Sequence, residues 1–100
     1  MFNLTDYIHK QEIEAFCRKH YIIKMSLFGS ALRDALTPDS DIDILVEFDQ
    51  DHIPGLFELS GMEIELSDKL GRKVDLRTPA ELSRYFRADV QKKARIEYAA

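Results

Sequence analysis

One hundred residues, 45% hydrophobic and 32% charged with ten aromatics, supply one hydrophobic core, fall short of two, and exclude an intrinsically disordered chain. A net charge of −4 excludes the broad basic footprint that drives non-specific nucleic-acid binding, so no direct nucleic-acid partner is expected. The single cysteine, Cys17, can form no internal disulfide, and neither a signal peptide nor an apolar run of membrane-spanning length is present, so the expectation is one domain over residues 1–100 in the reducing cytoplasm, off the membrane.

Residues 4–20 carry Ile8, Ile13, Phe16 and Cys17 at helical spacing, which predicts an amphipathic helix with Thr5 or Asp6 as N-cap and Cys17 as a buried thiol. His9 and His20 fall on its polar side or at its end and read as solvated. Residues 21–28, rich in β-branched and aromatic side chains, predict a strand that stops at Gly29. Gly29-Ser30 ahead of residues 31–36 reads as a tight strand-to-helix turn. Such a turn is a plain capping signal or, with Arg33 one turn on, a cradle for an anion.

Thr37-Pro38-Asp39-Ser40 is a turn by composition and returns the chain for a strand over residues 41–48. The following 49–54 segment is polar, and Asp49, Asp51 and His52 read as a solvated loop. Residues 55–70 predict a helix interrupted by Gly61, with Gly71 as its C-cap. Residues 72–78 predict a short strand with Asp75 at its centre. Thr78-Pro79-Ala80-Glu81 has the chemistry of a helix start, and a last helix is predicted from there to the C-terminus. Leu82, Tyr85, Phe86, Val90, Ala94 and Tyr98 would form its buried stripe. Its basic residues, Arg84, Arg87, Lys92, Lys93 and Arg95, read as a solvated face; the alternative is that one or two reach an anionic ligand or a partner.

The chemistry gathers around Asp41 and Asp43. Two apart in a strand, both carboxylates project from one face while Ile42, Ile44 and Val46 take the other. Like charges at neighbouring same-face positions repel unless a cation or proton lies between them, and a divalent metal is the economical reason to keep them. Asp75 is a third strand carboxylate, with two open readings: an ion pair with Arg77 or Arg72, or a further metal ligand. A strand, a Gly-Ser turn and a set of carboxylates suggest in-line phosphoryl or nucleotidyl transfer. A Walker-type loop, kinase signatures, a His-Cys zinc spacing and a Gly-x-Ser-x-Gly elbow are all absent.

Gly29-Ser30, then ten residues, then Asp41-Ile42-Asp43 resembles the signature of the DNA polymerase beta-like nucleotidyltransferase superfamily, with Asp75 where its third carboxylate lies. The chain is similar to the minimal nucleotidyltransferase branch along essentially its whole length. At Leu32-Arg33-Asp34 it departs from the Arg-Gly of many relatives. The resemblance implies an α+β, two-layer fold in which a small mixed sheet of three to four strands packs against helices. It implies catalytic Asp41, Asp43 and Asp75 around two Mg²⁺ ions, with Asp75 completing one metal site and acting as or assisting the base. Gly29, Ser30 and Arg33 would hold the triphosphate of ATP. It further implies an antitoxin that transfers AMP to a hydroxyl, tyrosine by expectation, of a HEPN-domain ribonuclease toxin in a hetero-oligomer. The HEPN ribonuclease motif itself is not found here. The alternatives are an antitoxin that neutralises its partner by binding alone and a nucleotidyltransferase acting on a small molecule.

Overall fold

The computed structural model describes residues 2–33 and 36–100, with the side chain of Arg33 also outside the description. Four strands, β1 (Ile22–Leu27), β2 (Ile42–Phe48), β3 (Val74–Arg77) and β4 (Arg95–Ala99), form one sheet in the order β3-β2-β1-β4. β1 is antiparallel to both β2 and β4, whereas β2 and β3 are parallel and joined through a helix. With α1 (Lys10–Lys19), α2 (Leu56–Leu70) and α3 (Arg87–Lys93), the chain is an α+β protein with a mixed sheet.

Alternation in β2 sends Ile42, Ile44 and Val46 into the core, where all three are fully buried. Met25 and Leu27 of β1 and Val74 and Leu76 of β3 join them there. α1 contributes Ile13, Phe16 and Cys17 to this face, and α2 contributes Met62, Leu66 and Leu70 at helical spacing. Burial of that order stabilises by about 1.5–3 kcal/mol per large aliphatic side chain. Cys17 is fully buried, as its place in the pattern required, and burial pushes its thiol up to about 12.

The outer edge of β3 is closed by side chains of α2. The Val74 N–H donates to Ser67 Oγ at 3.0 Å, and the Ser67 hydroxyl donates to Glu63 O at 2.7 Å. Next along the edge, the Leu76 N–H donates to Glu63 Oε2 at 2.8 Å. Gly71, at φ 70°, ends α2 as expected and turns the chain directly into β3.

Three expectations are corrected. The first helix does not run over residues 4–20: Leu4–Asp6 is a separate 3-10 turn, and α1 starts at Lys10 with His9 as an N-cap that makes no side-chain bond. Leu4 and Ile8 are both buried in the core, on either side of the break between the two elements.

The helix expected over 31–36 is a tighter 3-10 turn, Gly29–Arg33, with residues 34 and 35 outside the described part. The last helix does not reach the C-terminus. After a 3-10 turn at Pro79–Glu81, which keeps the Thr78–Glu81 capping box, only Arg87–Lys93 is α-helical, and Arg95–Ala99 is an edge strand. Pairing with the open side of β1 satisfies that backbone and lets Tyr98 pack against the core, while Tyr85 and Phe86 of the expected stripe stay exposed.

Candidate active site

The hydrogen bond from Phe28 N–H to Asp43 O, 3.1 Å, carries the β1–β2 pairing one residue past the end of β1. It sets Gly29 beside the Asp43 side chain. Gly29 has φ 70°, and a β-carbon there would stand 3.2 Å from Asp43 Cγ and closer still to Oδ2. Glycine is therefore required twice, for its backbone conformation and for the space the carboxylate occupies.

In the parallel pairing of β2 with β3, Asp43 lies directly opposite Asp75. Asp41, immediately before β2, shares by alternation the face that Asp43 presents, opposite to the core side taken by Ile42 and Ile44. Strand pairing thus brings the three carboxylates expected from the sequence to one region of one sheet face.

Their side chains are not gathered into a preformed metal cluster: among the described residues no three His, Cys, Asp or Glu side chains converge in that way. Carboxylates on adjacent positions repel, and basic neighbours draw two of them aside. Lys73 Nζ stands 3.8 Å from Asp41 Oδ2. Arg77 grips Asp75 with both arms, Nε to Oδ1 and Nη2 to Oδ2, each at 3.2 Å. Hydrogen bonding to Asp75 and the charge of that carboxylate hold the Arg77 guanidinium above its ordinary pKa. Of the two ion pairs expected for Asp75, that with Arg77 forms. Arg72 donates instead to Thr37 O at 2.6 Å and Ser40 O at 2.9 Å, tying the turn ahead of β2 to the start of β3. The donors are nonetheless the hard oxygen ligands that Mg²⁺ prefers.

Ser30 is the second residue of the Gly29–Arg33 turn and Arg33 its last. One 3-10 turn has little macrodipole, so its attraction for an anion would come from individual amides.

A cleft of about 730 Å³ opens over this turn. Phe28, Gly29, Leu32 and Asp43 line one side, and Asp89, Val90, Lys93 and Arg95 the other, so the connection from β3 to β4 crosses above the carboxylate face. From the sequence, Lys93 and Arg95 were expected on a solvated helix face, and Asp89 carried no expected role. The alternating Arg95-Ile96-Glu97-Tyr98 was the available sign of a strand there.

Asp49, Asp51 and His52 lie at the opposite end of the hairpin, in the exposed segment expected, with His52 stacked on Tyr21 at 3.6 Å. His20 is a correction, since it is part-buried and bonds Glu65 of α2 at 3.0 Å, an interaction made only when α1 and α2 meet. No helix among the described residues is long and apolar enough to cross a membrane.

The model of the nucleotidyltransferase domain family matches residues 9–98, and the chain belongs to that family. It is an enzyme of the nucleotidyltransferase class. A Methanocaldococcus jannaschii protein provisionally named a protein adenylyltransferase is 43% identical over 75 residues, covering 67% of this chain and 75% of that protein. A solved toxin–antitoxin structure with AMP-PNP superposes at a TM-score of 0.75 with 20% identity, over 93% of this chain and 75% of the other. A chain from a structure of a tri-AMPylated Shewanella oneidensis HEPN toxin in complex with an MNT antitoxin superposes at 0.66 with 19% identity, over 91% and 70%. At these identities the two structures speak for the fold.

Proposed function

We propose that this chain, acting as one domain over residues 1–100, transfers AMP from ATP to a tyrosine hydroxyl of a HEPN-domain ribonuclease and thereby acts as its antitoxin in the cytoplasm. The observation that carries the reading is the placement of Asp43, in register with Asp75 and lying against the positive-φ Gly29. The relative named for adenylyl transfer to protein and the folds shared with toxin–antitoxin complexes support the substrate and partner.

In this reading Asp41 and Asp43 would hold two Mg²⁺ ions, and Asp75 would complete one of the two sites. Bound Mg²⁺ would neutralise triphosphate charge and acidify the attacking hydroxyl. The amides of Gly29 and Ser30, with Arg33, hold the phosphates. The hydroxyl oxygen forms a bond to the α-phosphorus as the bond from that phosphorus to the α–β bridging oxygen breaks. Pyrophosphate leaves, and the hydroxyl proton passes to Asp75 or a group that it assists. Loading the site would draw Asp41 from the exposed Lys73 at little free-energy cost and Asp75 from the two-point grip of Arg77 at a higher one.

The test is intact-mass spectrometry of the HEPN partner after incubation with this chain, ATP and Mg²⁺. An adduct of one or more AMP groups is expected, abolished by Asp43→Asn and by EDTA. No adduct with the parent chain, together with protection of cells by Asp43→Asn equal to that of the parent, would overturn catalysis in favour of neutralisation by binding. Transfer to a small-molecule hydroxyl with the protein partner left unmodified would overturn the assigned acceptor.

A further inference from the structure

We infer that Lys93, at the end of α3, is a triphosphate-binding residue of this enzyme, held by Asp89 until nucleotide enters; the inference rests on the nucleotide reading of the Gly29–Asp43 site.

The cleft over Gly29 and Asp43 has two walls of different origin, and α3 with the start of β4 forms the second. Two described cations line that wall. Arg95 is already committed: its Nη2 donates to Phe2 O at 2.6 Å and to Glu97 Oε1 at 3.0 Å, its Nε bonds the same carboxylate at 3.2 Å, and its side chain is only 27% exposed. Lys93 is placed differently. Its side chain is 71% exposed, and its ion pair is with Asp89 one helical turn back, at 3.3 Å. An exposed pair of that spacing is weak and readily exchanged.

Among the described side chains, the other cations near the carboxylates, Lys73 beside Asp41 and Arg77 beside Asp75, lie on the sheet and do not line the cleft. A triphosphate entering between Gly29 and α3 would bring excess negative charge into a cleft that already holds Asp43 and Asp89. Transfer of the Lys93 ammonium from Asp89 to a phosphate oxygen would pair that charge without moving the backbone, since a lysine head is a mobile point charge on a four-carbon stem. The apolar side chains of Phe28, Leu32 and Val90 line the same cleft and offer surface for the nucleoside.

The experiment is calorimetric titration of the full chain with Mg²⁺ and an ATP analogue whose α–β bridge is methylene, with AMP as the comparison ligand. Lys93→Ala should weaken the analogue by about tenfold, the effect of removing one charge-assisted hydrogen bond, while changing AMP affinity by less than about twofold. Lys93→Arg should restore most of the affinity, and Asp89→Asn should tighten the analogue by releasing the lysine. Lys92→Ala, which alters the charge of the same helix outside the cleft, controls for long-range attraction. Equal effects of Lys92→Ala and Lys93→Ala, or equal weakening of AMP and the analogue, would overturn the assignment. Normal binding by Lys93→Ala overturns this inference alone. Failure of the parent chain to bind the analogue overturns the nucleotide reading of the site, and this inference with it.

Discussion

Gly29 shows most directly how one residue couples backbone conformation to the candidate site. Gly29→Ala places a β-carbon against the Asp43 carboxylate at a φ of 70°, so the turn, the aspartate or both must shift. Nucleotidyl transfer should fall by about 100-fold or more, since misplacing a reacting group by an ångström has that effect. The domain should remain folded, with a strain penalty of about 1–3 kcal/mol; rate assays and thermal melts on the same sample separate the two effects.

Glu65 offers a pH test. Burial raises its pKa, but hydrogen bonds and charge from His20 and Lys19 outweigh that and lower it below the ordinary 4.5. A carboxylate depressed in the folded state stabilises fully above its unfolded pKa, and loses that contribution as pH falls through the folded value. Acidification from about pH 5 to about pH 3 should therefore lower the urea midpoint of the parent more than that of Glu65→Gln.

The most informative element is the edge strand β3, because the hydrogen bonds that finish it come from α2. Ser67→Ala removes the acceptor for Val74 N–H and Glu63→Ala that for Leu76 N–H. Each should destabilise by about 1–3 kcal/mol, the penalty for stranding a part-buried donor, measurable by urea unfolding. Glu63→Gln keeps an acceptor oxygen and should be milder. Loss of either bond also loosens the strand that carries Asp75, so both alanine variants should lower transfer further than their stability predicts at low temperature.

Most elements were legible because their signals are local. Branched apolar runs mark β1 and β2, the spacing of Met62, Leu66 and Leu70 marks α2, and Gly71 marks its end. The stretch after Thr78 misled because its signal is mixed. A genuine capping box opens only a 3-10 turn, and the alanines near the C-terminus favour helix on propensity alone. What decides residues 95–99 is an unpaired edge of β1, more than sixty residues earlier in the chain.

For the whole molecule, β4 therefore matters more than its length suggests. Deletion of residues 95–100 would strip Tyr98 from the core, uncover the edge of β1 and remove the Arg95 bonds that fasten the N-terminal segment at Phe2. The truncated chain should melt at least about 10 °C lower and aggregate, as seen by circular dichroism and size-exclusion chromatography. An exposed apolar set, with Ile53, Leu56 and Phe57 at the head of α2 and Tyr85 and Phe86 ahead of α3, remains on the surface of the parent.

By itself the sequence determined which residues are the candidates for the chemistry. The Gly29-Ser30 turn, the Asp41–Asp43 alternation and the strand position of Asp75 are all consequences of spacing that a chain writes locally. Tertiary structure alone decided their company: Asp43 opposite Asp75 through parallel pairing, Asp41 beside Lys73, and a second wall of the cleft supplied by α3 and β4. The reason is physical. Periodicity reports which face of an element is buried, whereas strand order and crossover depend on how distant backbone edges satisfy their hydrogen bonds, and no local pattern records that.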